Sequence, residues 1–281
     1  MSARDDNYGS VGAVSGVQNP IRLARAVLGH SLIPNPFGRI PPLLLVSTGA
    51  REFAEANSIV TVPPEQLIAS EAYTQWKKWK KRLETPEKGL SDIPNDPESE
   101  NMRDIQDTVG AVSLHPADGF AAGVSSGGLL LKCPGRIGEA GVFGAGCWSN
   151  QTQVSAAFEG MACSVSGAGE YIVREQLARK IGDAYRAYGH NDPHAMLHRV
   201  LLDFWRVSHG RGETAPAVGV ILLTSDREGY VRLWCAFTTA SMAVGYVSSL
   251  DDKPKTAIFR HPNPKEDGKA QIYITSISLS K

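Results

Sequence analysis

Layered α and β is the fold class this sequence predicts, and two observations predict it. Short apolar runs, several of them bounded by turn residues, read as strands. Between them lie longer segments with apolar residues at helical spacing. Strand pairs and amphipathic helices bury their apolar faces by stacking in layers around a common core. The 281 residues suffice for one large domain or two small ones.

The elements follow in order. Gly12 to Val17 is a short apolar strand. Asn19 then caps a helix whose first position is Pro20, with Ile21, Leu23, Ala24, Val27 and Leu28 as its apolar stripe. Pro34, Pro36, Gly38, Pro41 and Pro42 mark a loop. Leu43 to Val46 reads as a buried strand, and Thr48 as the cap of a short helix through Asn57.

Residues 61–107 change character. A helical stretch from Glu71 to Glu84 is rich in Lys and Arg, and the prolines and acidic residues that follow cannot bury a core. This segment is expected to be a mobile arm between compact segments 1–60 and 108–281. At Thr108 the apolar pattern returns. Thr108 to Val112 and Phe120 to Val124 predict a hairpin around Asp118-Gly119. After a glycine-dense stretch, Gly127 to Gly146, helices are predicted over Glu170 to Tyr188 and His194 to Trp205. Strands are predicted over Val218 to Leu223, Val231 to Phe237, Met242 to Tyr246 and Gln271 to Ser276.

Formal net charge is zero, so overall electrostatics favour neither nucleic acid nor membrane as a partner. Five of the six residues Lys77 to Arg82 are basic, with Trp79 among them. A solvated helix face is the expectation, with a nuclear-import or nucleic-acid patch as the alternative. No Cys-x-x-Cys pair occurs among Cys133, Cys147, Cys163 and Cys235, so free thiols are expected. The N-terminus has no apolar signal core, and no apolar run approaches a membrane span. A cytoplasmic or nuclear location is expected, without secretion. His194 and His198 are four apart but lack the His-Glu-x-x-His pattern, so a packed or solvated helix is expected and no metal or cofactor.

Chemistry concentrates where the arm meets the strand, at Asp107-Thr108. A hydroxyl there can attack the preceding carbonyl. Hydrolysis of the resulting ester would release Thr108 as a new N-terminus, whose α-amine, with a pKa of about 7.7–8.0, can act as base for its own side chain. Read alone, these two residues merely start an ordinary strand.

The wider pattern resembles a known family. Asp107-Thr108-Val109-Gly110-Ala111-Val112, Ser125-Ser126-Gly127-Gly128, Lys132 to Gly138, Gly144-Ala145-Gly146 and Ser166 to Glu170 look like the β-subunit of the N-terminal-nucleophile asparaginases. Gly16 to Pro20 is similar to the family's α-subunit. Gly144 to Trp148 and Ser241 to Tyr246, with the basic helix, look most like its aspartate-cutting protease branch, threonine aspartase.

The resemblance implies an αββα four-layer sandwich, with residues 1–60 as partial α-subunit and 108–281 as β-subunit. The family's opening His-Gly-Gly-Ala-Gly strand has no counterpart here, so an N-terminally truncated version is expected. It implies self-cleavage between Asp107 and Thr108, Thr108 as nucleophile, and Ser126 as a second hydroxyl beside it. Arg136 is implied to grip a substrate carboxylate with two parallel hydrogen bonds. Ser166 and the Gly167 amide are implied as oxyanion donors, each worth about 3–4 kcal/mol of transition-state stabilisation, and Gly169 as a backbone substrate contact. Glu139 stands where free-asparaginase relatives have an Asp that holds the substrate amine. Arg136 reads equally as a surface ion-pair residue, and Ser166 as a helix cap before Glu170.

The resulting expectation is an endopeptidase cutting polypeptides after Asp. The alternatives are a small-molecule asparaginase, isoaspartyl peptidase or glycosylasparaginase, and an inactive truncated homologue. Subunits α and β, paired into a homodimer of αβ units, are the implied partners.

Overall fold

Five strands form an antiparallel sheet in the computed structural model, which describes residues 1–4, 7–84, 107–154, 157–189, 191–262 and 269–279. Their spatial order is β11 (Tyr273–Ser278), β8 (Val231–Phe237), β7 (Val218–Ser225), β6 (Ala157–Gly167) and β5 (Cys147–Val154). Alternation along these strands sends successive side chains to opposite faces. Cys163, Val165, Val220, Leu222, Trp234 and Ala236 face one way, into a core with Leu177, Ile181, Leu197, Leu201 and Phe204. Ala162, Leu223, Leu233 and Cys235 face the other way, into a second core with Phe120, Ala122 and Val124. Fully burying each such large side chain stabilises the fold by about 1.5–3 kcal/mol.

The first core belongs to helices α4 (Gly169–Glu175), α5 (Leu177–Ala184) and α6 (Pro193–Gly210). The single helix expected over Glu170 to Tyr188 is broken at Gln176, which adopts a left-handed φ of 45°. It ends in a π-helical turn, Tyr185–Gly189. Asp192 caps α6 by accepting from the Ala195 amide at 2.9 Å.

The second core lies under the hairpin of β3 (Val109–His115) and β4 (Gly119–Ser125). Outside it, α1 (Pro20–Ser31) packs on β4 and on β1 (Ser10–Gly12). Strand β1 pairs in parallel with β2 (Leu44–Val46), which runs straight into α2 (Ser47–Ala56). Strands β9 (Ser241–Tyr246) and β10 (Lys255–Arg260) form a separate antiparallel pair. The described strands thus make one five-stranded sheet and three two-stranded pairs, a mixed helix-and-sheet architecture.

Several local expectations are corrected. Gly12 to Val17 is not a strand: β1 ends at Gly12 and Ala13 takes a positive φ of 47°. Strand β2 is not buried, since Leu44 and Val46 are more than two-fifths exposed. Thr48 lies inside α2, whose cap position is Val46. Strands β5, β6 and β10 were not expected. The first two hold many Gly, Ser and Gln residues, and β6 gains stability from pairing on both edges.

The basic stretch is helix α3 (Ser70–Glu84), which buries no side chain. Its charges partly rest on its own rings, Lys77 over Tyr73 at 4.4 Å and Lys80 over Trp76 at 4.7 Å. Residues 85–106 of the arm lie outside the described residues. Cys133 is exposed and the other three cysteines are buried. No described helix is long and apolar enough to cross a membrane.

Candidate active site

The β3–β4 register builds the centre of the site. Val109 lies opposite Ser125, so the two residues just beyond the ladder, Thr108 and Ser126, face each other. Thr108 Oγ1 donates to Ser126 Oγ at 3.0 Å. The Gly128 amide donates to the same Ser126 oxygen at 3.0 Å. With its acceptor sites taken, Ser126 directs its own proton to Asp107 Oδ1, also at 3.0 Å. A continuous chain of hydrogen bonds therefore runs from the Thr108 hydroxyl to the Asp107 carboxylate. Gly127 makes room for that carboxylate: a Cβ there would lie 2.3 Å from Asp107 Oδ2.

Glu139 closes the other side of Thr108. Its Oε1 is a second acceptor for the Thr108 hydroxyl, 3.4 Å from Oγ1, so the single Thr108 proton is offered either to Ser126 or to Glu139. It is only 3% exposed. Burial raises its pKa above the ordinary carboxylate value, with the nearby positive Arg136 opposing that rise.

Arg136 is itself engaged. Its Nε and Nη2 donate to Glu170 Oε1 and Oε2 at 2.7 and 2.8 Å. These two bonds raise the Arg136 pKa and lower that of Glu170. Arg136 thus forms the ion pair of the alternative reading, and the carboxylate held in its fork is the chain's own. Lys132 adds a second cation, bonded to the Gly127 carbonyl.

The turn from β6 into α4 brings in the remaining residues. Ser166 and Gly167 are the last residues of β6, opposite Gly219 and Val218 of β7. Ser166 does not cap α4, whose cap position is Ala168. Gly169 touches the cluster directly, since a Cβ there would lie 2.6 Å from Glu139 Oε2 and 2.9 Å from Arg136 Nη2. Asp107, Thr108, Ser126, Arg136, Glu139 and Gly169 therefore converge. Among the described hydrogen bonds, none joins Ser166 or Gly167 to the Thr108 hydroxyl.

A cleft of about 930 Å³ opens beside the site, between α1, β1, β4 and the Lys132–Gly141 loop. Ser125, Ser126, Gly127 and Arg136 line it, while Thr108 and Glu139 do not. Glu170 was not among the sequence-derived site residues. Its only signal was its place at the end of the Ser166–Glu170 run, and its pairing spans 34 residues. No three His, Cys, Asp or Glu side chains among the described residues are grouped to hold a metal, and His194 and His198 lie on α6.

The arrangement places the Thr108 hydroxyl at a strand start, an aspartate side chain held just before it, a buried carboxyl beside it and a guanidinium next to that carboxyl. Comparison with known proteins places the chain in a family. Residues 1–255 match the family described as Asparaginase. An isoaspartyl peptidase of Escherichia coli is 32% identical over 256 residues, covering 90% of this chain and 68% of its own length. An isoaspartyl peptidase/L-asparaginase of Bos taurus is 32% identical over 179 residues, covering 64% of this chain. A plant-type L-asparaginase of Pyrococcus horikoshii is 32% identical over 190 residues. The chain spans about half the length of the bovine and archaeal proteins, 49% and 54%. The chain belongs to the asparaginase family, a family of N-terminal-nucleophile hydrolases.

Proposed function

We propose that this chain is an N-terminal-threonine hydrolase. It cuts itself between Asp107 and Thr108 and then hydrolyses the side-chain amide of asparagine or the β-aspartyl peptide bond. The observation that carries this reading is the hydrogen-bond chain from Thr108 Oγ1 through Ser126 to Asp107. It sets the nucleophile beside the residue whose carbonyl it must attack. The names of the relatives, isoaspartyl peptidase and L-asparaginase, support the substrate class.

In the mature enzyme the freed Thr108 amine serves as base for its own hydroxyl. Arg136 binds the substrate carboxylate and Glu139 the substrate amine. The Ser166 hydroxyl and Gly167 amide stabilise the oxyanion, and Gly169 contributes backbone contact. On this reading residues 1–107 become the α-subunit and 108–281 the β-subunit. They are arranged as helix, sheet, sheet, helix, and two αβ units pair.

A second reading is cleavage of polypeptides after Asp, the threonine-aspartase activity. A specific observation favours it: the uncut site already holds an aspartate side chain between Ser126 and Gly127.

Intact mass after incubation at neutral pH, beside Thr108→Ala, tests the cut. Two fragments from the 30.2 kDa chain, one beginning at Thr108, are expected. Ammonia release from asparagine, aspartate release from a β-aspartyl dipeptide, and scission of an Asp-containing peptide then separate the readings. Scission of the peptide alone would replace the first reading by the second. A folded wild-type chain that stays whole would overturn both.

A further inference from the structure

Self-cleavage needs a base that the mature enzyme does not need. Before the cut, the Thr108 nitrogen is part of a peptide bond and its lone pair is delocalised into the carbonyl. It cannot take the hydroxyl proton. Another group must do so, within reach of Thr108 Oγ1.

Among the described residues, two side chains meet that oxygen, Ser126 at 3.0 Å and Glu139 at 3.4 Å. Ser126 is a neutral hydroxyl whose own proton already goes to Asp107. Asp107 reaches Thr108 only through Ser126, is exposed, and belongs to the acyl group under attack. Glu139 touches the nucleophile directly, is buried, and is fixed at the start of a 3-10 turn, Glu139–Gly141.

We infer that Glu139 is the general base of self-cleavage, taking the proton from Thr108 Oγ1 as that oxygen attacks the Asp107 carbonyl carbon. The inference rests on the proposed self-cleavage. The C–O bond forms, and the tetrahedral intermediate collapses with loss of the C–N bond. The proton passes from Glu139 to the departing nitrogen, leaving an ester and a free amine. One water then hydrolyses the ester, giving the Asp107 carboxyl and restoring the Thr108 hydroxyl. No other reactant is consumed.

The surroundings suit this task. Arg136 is the positive charge that acts on Glu139, and its fork is occupied by Glu170. Glu170 adds a further negative charge, and the Thr108 hydroxyl is the group that faces Glu139 across the site. Burial raises the Glu139 pKa, which makes its carboxylate a stronger base than an exposed one.

The test is a time course of intact mass for the full chain as wild type, Glu139→Gln, Glu139→Asp, Glu139→Ala and Thr108→Ala. Near-ultraviolet circular dichroism is recorded for each. A positioned general base contributes about a hundredfold or more. Glu139→Gln is therefore expected to cut about a hundredfold more slowly while keeping a wild-type spectrum. Glu139→Asp, which keeps a carboxyl, is expected to fall between. Added formate is expected to restore cleavage in Glu139→Ala, which a purely structural role would not allow. Wild-type cleavage rates in Glu139→Gln would overturn the inference and leave self-cleavage standing. Loss of the spectrum in every Glu139 variant without formate rescue would also overturn it. An uncut, folded wild-type chain would remove both the inference and the reading beneath it.

Discussion

Arg136 grips Glu170 through two parallel hydrogen bonds of 2.7 and 2.8 Å, so the fork suited to a substrate carboxylate is filled before any substrate arrives. The two partners are unequal. The Arg136 side chain is 14% exposed, whereas Glu170 is 57% exposed and can turn out to water. On the proposed function, a substrate carboxylate competes with a tethered, solvent-facing one.

This competition has a kinetic signature. Glu170→Gln weakens the internal competitor, and KM for carboxylate-bearing substrates is expected to fall severalfold with kcat nearly unchanged. Arg136→Ala removes hydrogen bonds to a charged group worth about 1.5–3 kcal/mol each, so kcat/KM is expected to drop at least about tenfold. Steady-state kinetics on self-cleaved protein measures both. A Glu170→Gln enzyme with raised KM would show that Glu170 holds Arg136 in place for the substrate.

The two carboxyls near Arg136 are expected to give stability opposite pH dependences. Glu139 has a raised pKa, chiefly from burial. Between the ordinary value of 4.5 and the raised one, the native form holds a proton that the unfolded chain has released, so its contribution is lost as pH rises through that window. Glu170 has a lowered pKa, chiefly from the Arg136 hydrogen bond. Its contribution is present above the ordinary value and lost as pH falls through the lowered one. Thermal melting of Thr108→Ala from pH 3.5 to 7, alone and with Glu139→Gln or Glu170→Gln, tests the signs. Relative to its parent, the Glu139→Gln chain gains melting temperature as pH rises, and the Glu170→Gln chain loses it.

Gly167 tolerates no side chain. Its φ is 145°, and a Cβ would lie 2.1 Å from the Ala217 carbonyl oxygen. That obstacle is backbone of the neighbouring strand and cannot swing aside. Backbone strain and overpacking each cost about 1–3 kcal/mol. Gly167→Ala is expected to lower unfolding free energy by about 3 kcal/mol in urea titration. Gly135→Ala is the contrast for steric crowding: nothing lies within 4 Å of a Cβ there, and only its φ of 85° opposes the change.

Much of the site was legible because its parts are local. Thr108 to Val112 alternates like a strand, Asp118-Gly119 marks a turn, and the two together predict the hairpin whose register sets Thr108 against Ser126. Asn19-Pro20 predicted the start of α1, where the Asn19 side chain accepts from the Arg22 amide at 3.3 Å. Strands β5 and β6 were not legible. Gln151, Thr152 and Glu159 have no strong strand pattern, and the ladder between Cys147 and Ser164 is what holds them extended. The break at Gln176 is not legible, because helical spacing continues across it.

The sequence by itself determined the Asp107-Thr108 start of the hairpin, the hairpin itself and the family motifs, because each depends on residues close in the chain and on turn chemistry between them. Only tertiary structure decided that Glu139 is buried against Thr108, that Glu170 fills the Arg136 fork, and that Gly169 touches both Glu139 and Arg136. Those contacts join loops and helix ends separated by up to 34 residues. Charge pairing and desolvation arise from distance in space, which spacing along a chain does not encode.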